Sequence, residues 1–499
     1  MRFFPRILLY IIITVFTIST THAAEDLISL FPLNNYDQEV SSWIKPSDAD
    51  YDKPMMDANT QQAHMDKFHE HYFGTKSPWS REYVNQILSE ADDIKTLETG
   101  IIREFDNEGK PEKSIGYGAN FRPYGKKWIQ EIANNINISQ FDSLNYQSSN
   151  RGIAIDNLHA RTLPTEDVYF YSHKMAGEGY PFDNMQMSAL WAGTPVYIIA
   201  ESRDHAWMLV VTPEYIAWVK SKGIARVSDA FVDTWTNAAK NNLAAITQTK
   251  TSMVDEKGNF LFSAYVGSVF PGSSLSAGMQ LMVPVAVGDR QAVIKRVIVP
   301  SSNAALMPVA PTPHQFSLVM KSMIARPYGW GSMYFYNDCS AELKSLLTPF
   351  GIWLPRHSSA QVTAGKMVDM TGETPEKRLA YLKENGQRFM TIVYIGGHVV
   401  MYVGNYPNPR KQDSVMAMTY QNVWGLSPNP PSRRTVIGKS VLFPMLLQYP
   451  EDGTLTSLAA KKYFQVAFLN QLPDASVSLT SGSHVDVGSL MFPEILMFH

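Results

Sequence analysis

The sequence predicts a multidomain α+β protein, and three observations predict it. A polar N-terminal region carries apolar residues three or four apart; near Gly152 the pattern changes to short β-branched runs; the C-terminal part sets a cysteine at a helix start before strand-like segments. With 499 residues the chain also exceeds what one hydrophobic core usually serves.

The elements follow in order. Arg2 and Arg6 with the apolar run Ile7 to Ile18 and the small residues Ala23-Ala24 read as an export signal over residues 1–24. The apolar run is too short to span a bilayer, and no later run reaches about 18 apolar residues. A periplasmic or secreted protein with no integral membrane domain after cleavage is expected. Residues 25–150 form a mainly helical domain, with helical spacing over Ser80 to Ile94 and over Gly125 to Ile138. His64, His69 and His71 lack the two-histidine helical spacing of a metalloprotease and are expected to be solvated, with no metal.

Residues 151–222 contain Pro195-Val196-Tyr197-Ile198-Ile199 and Ala206 to Val211, separated by turn residues, as in a small barrel. A second strand-rich domain over 223–300 includes Phe260 to Val266 and Gln280 to Val285, without a clear residue-level repeat of the first. Pro300, Pro308, Pro311 and Pro313 then mark a connection, because clustered prolines resist helix interiors and central strands. The reaction domain is expected over 314–499.

Charge and cysteine usage narrow the function. Removing the signal takes Arg2 and Arg6 from 43 basic residues facing 46 acidic ones, which moves the formal charge from −3 to about −5. Nucleic acid is excluded as a partner on that balance, since binding its backbone needs a basic surface. The single cysteine, Cys339, cannot form an intrachain disulfide and is a free thiol even in an exported protein.

Cys339 lies in Asn337-Asp338-Cys339-Ser340, just before a helix predicted from Leu343, Leu346 and Leu347 and ended by Thr348-Pro349-Phe350-Gly351. Unpaired N–H groups and the positive end of the helix dipole favour a thiolate there. Asp338 or Asn337 can cap the helix, although an aspartate also opposes the thiolate, which a nearby imidazolium would offset. His398 can supply that imidazolium from Gly397-His398-Val399-Val400-Met401-Tyr402, where alternation puts His398, Val400 and Tyr402 on one side of a strand. Gln421 can orient the ring through its amide oxygen without adding charge, with Asn422 and several acidic residues as competitors. A buried cysteine and an unrelated histidine would show the same local spacing.

Further motifs carry a resemblance. Tyr328-Gly329-Trp330-Gly331, Asp338-Cys339-Ser340, Gly351-Ile352-Trp353-Leu354-Pro355-Arg356-His357-Ser358, Gly397 to Gly404 and Tyr420-Gln421-Asn422-Val423-Trp424-Gly425 resemble, in order, those of the NlpC/P60 cysteine peptidases. Upstream, Arg161 to Thr165, Gly177 to Asp183 and Leu190 to Tyr197 resemble the first bacterial SH3-like domain of a subgroup with an N-terminal helical region and two such domains. The resemblance implies a papain-like α+β catalytic domain and a Cys339–His398–Gln421 site without metal or cofactor. It implies peptidoglycan stem peptides as substrate, cut between γ-D-glutamate and a diamino acid, with a free N-terminal L-alanine preferred. Tyr328, Trp330, Asp338 and Ser340 fall on substrate-recognition positions, where Asp338 would meet the ammonium, and Glu178 is a candidate second carboxylate. The third catalytic position is often histidine in the family, so Gln421 is a departure. It keeps open an inactive wall-binding protein, and an amidase or acyltransferase on the same fold is a further alternative.

Overall fold

The computed structural model describes residues 28–175, 177, 179–409, 414–474 and 486–491. The expected signal over 1–24 and Glu178 lie outside the described residues. No helix among those described is long and apolar enough to cross a membrane.

Helices Ala58–Phe73, Arg81–Ser89, Ala91–Glu104 and Lys126–Ile136 build the N-terminal region. Asp57 and Ser80 cap the first two by accepting first-turn N–H groups, and Asn137 ends the last in a left-handed conformation. The helical stretch expected over Ser80 to Ile94 is divided at Glu90, whose backbone leaves the helical region. Ile87, Ile94, Ile101 and Ile132 share one core with Tyr197, Trp207 and Trp218 of the first barrel. The three N-terminal histidines are not solvated as expected. His64 is buried and bonds the Leu469 carbonyl at 2.8 Å, and His71 stacks on Trp353 with centroids 4.4 Å apart. Their helix is wedged between domains, so rings that would be wet on an isolated helix become packing.

The two strand-rich regions share one twelve-stranded sheet. Ile224–Arg226 joins them: it pairs antiparallel with Arg151–Ala154 of the first and meets Gln291 of the second. The strand-rich expectation missed helix Asp229–Asn241, which Ser228 caps and which buries Phe231, Trp235 and Ala239 at four-residue spacing.

The C-terminal domain has a seven-stranded sheet in the order Ile28–Leu30, Arg434–Met445, Val415–Leu426, Val399–Pro407, Thr391–Tyr394, Gln465–Phe468 and Lys366–Asp369. Only the first pair is parallel. Helix Cys339–Leu347 packs Leu343, Leu346 and Leu347 on Met401, Met418 and Tyr420 of that sheet. Val399, Met401 and Val403 enter this core, while Val400 and Tyr402 enter a separate core against Leu379 and Leu382. The period of two is thus used on both faces.

Candidate active site

Cys339 is the first residue of its helix and is buried. Asp338 caps it, its Oδ1 accepting from the Ala341 N–H at 2.9 Å. The thiol donates to the Gly397 carbonyl at 3.9 Å, which puts it beside the His398 turn. His398 is not inside the strand, as alternation suggested, but in the turn that enters it. Gly396 and Gly397 both have positive φ there, at 85° and 68°, and the Ile395 N–H closes the turn on the His398 carbonyl. Side chains rarely adopt that backbone, so the glycines let the ring leave the strand's alternation.

The ring is oriented by a directed chain of hydrogen bonds. The Thr419 hydroxyl gives its one proton to the Phe443 carbonyl at 2.7 Å, so it accepts from the Gln421 Nε2 amide at 2.8 Å. The amide therefore turns its oxygen to His398 Nε2, 2.7 Å away, and that nitrogen must carry the proton. His398 Nδ1 is left with the lone pair. Gln421 and Thr419 are fully buried, which holds the chain rigid. Loss of solvent pulls the His398 pKa down to about 4, with Lys461 acting in the same direction and the Gln421 bond and Asp338 opposing it. At neutral pH the resting ring is neutral, a base rather than the imidazolium expected from the sequence.

Asp338 is not the open carboxylate that the sequence suggested. Arg356 Nη2 lies 2.5 Å from its Oδ2, while Arg356 Nη1 bonds Ser340 Oγ at 2.7 Å. The same guanidinium reaches the first barrel through Ser188 Oγ at 2.8 Å. A buried carboxylate needs such a partner, because leaving it alone costs several kcal/mol. One turn along, Glu342 is held by hydrogen bonds and makes no ion pair among the described residues. Burial pushes its carboxyl up, and it accepts from Asn337 and Ser440, each at 2.8 Å, and from the Tyr420 hydroxyl.

Tyr328 and Trp330, both half-buried, stand in an aromatic wall. Tyr328 lies 6.1 Å from Trp424, and Phe182 of the first barrel meets Trp330 edge-on at 4.8 Å and Trp424 at 5.3 Å. Burial holds the Tyr328 phenol well above its ordinary value, with Cys339 and Asp338 as further causes. Gln186 bonds the Gly331 carbonyl at 2.9 Å, so the barrel is fastened to the loop that carries Trp330. A cavity of about 30 Å³ between barrel and helix is lined by Glu214, Lys344 and Arg356 but not by Cys339. That is room for water, not for a peptide.

Cys339, His398 and Gln421 therefore come together, with Tyr328, Trp330, Asp338 and Ser340 around them. Sequence reasoning assigned no role to Arg356, Thr419, Phe182 or Trp424. Arg356, Trp424 and Phe182 lie inside the motifs that carry the resemblance, and Thr419 is two positions from Gln421 on a strand, hence on the same face.

Three family descriptions match the chain: NLPC_P60 stabilising domain, N term, over residues 16–141; SH3 domain (SH3b1 type) over 169–220; and SH3 domain of SH3b2 type over 228–277. No curated protein matches it. Among solved structures, an NlpC/P60 endopeptidase from Photobacterium damselae subsp. piscicida is 27% identical, with a TM-score of 0.74 over 89% of this chain and 100% of that one. An NlpC/P60 family protein from Bacillus cereus ATCC 10987, at 16% identity and a TM-score of 0.40 over 62% of this chain and 98% of that one, is too distant to carry an argument. The chain thus carries regions that match an NlpC/P60 stabilising domain and SH3b1 and SH3b2 domains, and as a whole it is similar in structure to a solved NlpC/P60 endopeptidase.

Proposed function

We propose that the protein is an exported cysteine endopeptidase that hydrolyses the bond between γ-linked D-glutamate and a diamino acid in peptidoglycan stem peptides. The observation that carries this reading is the directed chain from Phe443 through Thr419 and Gln421 to His398, which presents Nδ1 as a base beside the Cys339 turn. It also answers the doubt raised by Gln421: a neutral amide fixes the tautomer as a third histidine would, so the inactive reading loses its motive.

In the proposed cycle the Cys339 proton passes to His398 Nδ1 as sulfur attacks the γ-glutamyl carbonyl carbon. The tetrahedral oxyanion is met by the Cys339 N–H at the helix start. Collapse breaks the C–N bond, the proton on His398 goes to the departing amine, and a thioester remains. Water then gives a proton to His398 and its oxygen to the acyl carbon, and the thiol is restored.

Tyr328, Trp330, Asp338 and Ser340 line the proposed subsite for the end of the peptide. The Trp330 Nε1–H is buried without a partner among the described residues, a donor that a peptide carbonyl would satisfy. A free L-alanine terminus remains the preferred substrate in this reading, but for a revised reason. Arg356 already balances Asp338, so exclusion of a muramic acid group rests more on the wall formed with Phe182 than on an unpaired charge.

The test is incubation with L-Ala-γ-D-Glu-diaminopimelate. The protein should release L-Ala-γ-D-Glu, and Cys339→Ala should not; equal product from both would refute the assignment. Product mass separates hydrolysis from acyl transfer, since a peptidase adds water and a transferase adds the acceptor amine.

A further inference from the structure

We propose that Glu342 is a positioning residue that, through Asn337, holds the Cys339 thiol in place against the His398 imidazole. Helix Cys339–Leu347 carries Glu342 one turn past the thiol, and its carboxyl is where three elements meet. Its Oε2 accepts from Asn337 Nδ2 at 2.8 Å, two residues before the thiol. Its Oε1 accepts from Ser440 Oγ at 2.8 Å and from the Tyr420 hydroxyl, on two paired strands of the sheet.

Strand Val415–Leu426 thereby holds both reacting groups with three consecutive residues. Gln421 bonds the imidazole. Tyr420 before it reaches Asn337 through Glu342, and Asn422 after it donates Nδ2 to the Asn337 carbonyl at 2.8 Å. That carbonyl also takes the Gly329 N–H at 3.0 Å, so the segment before Cys339 is fixed by side chain and backbone alike. Glu342, Gln421 and Asn422 are all fully buried, out of competition from water. Packing alone does not explain the acid. The same helix buries Leu343, Leu346 and Leu347, and burying a carboxyl costs more than burying another leucine. What the carboxyl adds is direction, and a misplacement of about 1 Å between reacting groups can cost about 100-fold in rate.

This inference deepens the peptidase reading and rests on it for its kinetic arm; alkylation of Cys339, the only cysteine, does not need it. Glu342→Met removes all three bonds. It should lower kcat for L-Ala-γ-D-Glu-diaminopimelate about tenfold with KM held within about twofold, and slow iodoacetamide alkylation by a similar factor. Burial pushes the Glu342 carboxyl up, so a neutral amide of the same shape should serve, with Asn337 turning its own amide to meet it. Glu342→Gln should therefore keep both rates within about threefold of wild type. In a His398→Ala background Glu342→Met should slow alkylation no further, because the residue acts only through the pair. If circular dichroism shows that Glu342→Met does not fold, Asn337→Ala breaks the same link by a smaller change and carries the same expectations. A folded variant with wild-type kcat and alkylation overturns the proposal. So does an equal slowing in the His398→Ala background, which would mark a general loosening, or a Glu342→Gln as slow as Glu342→Met. A wild type that cuts no stem peptide refutes the peptidase reading, whereas the alkylation rates still judge Glu342.

Discussion

Around Cys339 the relay through His398, Gln421 and Thr419 is contained in one sheet, whereas the aromatic wall of Tyr328, Trp330, Trp424 and Phe182 is shared between two domains. The relay has neighbouring strands to fix it, and both bonds of Thr419 in it are buried. The wall depends on how the first barrel sits, and that is fixed by polar anchors, Gln186 on Gly331 and Arg356 on Ser188. Chemistry is thus set by local register and recognition by domain docking. Substitutions in the two should separate kcat from KM, except where one residue serves both.

Arg356 is that exception and gives the largest expected effect. Its guanidinium ties Asp338 and Ser340 at the thiol to Ser188 and Met187 of the barrel. Arg356→Ala leaves a buried aspartate unpaired and should cost about 3–5 kcal/mol of stability, read by urea unfolding. A loss under about 1 kcal/mol would mean that the barrel is not anchored through this pair.

Next comes the relay. Gln421→Ala frees the imidazole tautomer and should lower kcat about 100-fold with KM nearly unchanged, checked by steady-state kinetics. Gln421→Glu keeps the acceptor but adds charge. Because the ring acts unprotonated, activity is lost as pH falls through the His398 pKa, about 4 in the wild type. A carboxylate partner favours the imidazolium, so the acidic limb of kcat/KM should move up by about one to two pH units. A limb that stays in place would show that Gln421 does not govern the ring.

Much of the relay was legible and much of the wall was not. A cysteine at a helix start and a glutamine on an alternating strand are local facts, so Cys339 and Gln421 could be named from spacing and motif. His398 could be named too, but its placement in the strand failed because two left-handed glycines shift the ring into the turn. The resting charge of His398 depends on burial, which spacing does not report. Asp338 was read as open because its partner, Arg356, is 18 residues away and becomes a neighbour only when the Leu354-Pro355-Arg356 segment folds back over the helix. Phe182 is further still from Trp330 in sequence, and no periodicity joins two domains. The helix Asp229–Asn241 was missed for a different reason: Ser228 and the Phe231, Trp235, Ala239 spacing signal it, but β-rich flanks on both sides outweighed a short amphipathic stretch.

The smallest expected effect sharpens the comparison most. Phe182 meets both Trp330 and Trp424 by its edge, and such aromatic contacts contribute about 0.5–1.5 kcal/mol beyond the area they bury. Phe182→Leu keeps much of the volume and removes that geometry, so the wall should loosen without a large cavity. The relay lies on Val415–Leu426 and the turn before Val399–Pro407 and does not touch Phe182, so the resting base and thiol stay as they are. The substitution should raise KM for a free stem tripeptide about three- to tenfold with kcat held. It should also narrow the gap in kcat/KM between that peptide and its N-acetylmuramyl form, because a looser wall admits the added sugar. Measuring both substrates on both proteins decides the matter: a fall in kcat at constant KM would show that barrel and relay act as one unit.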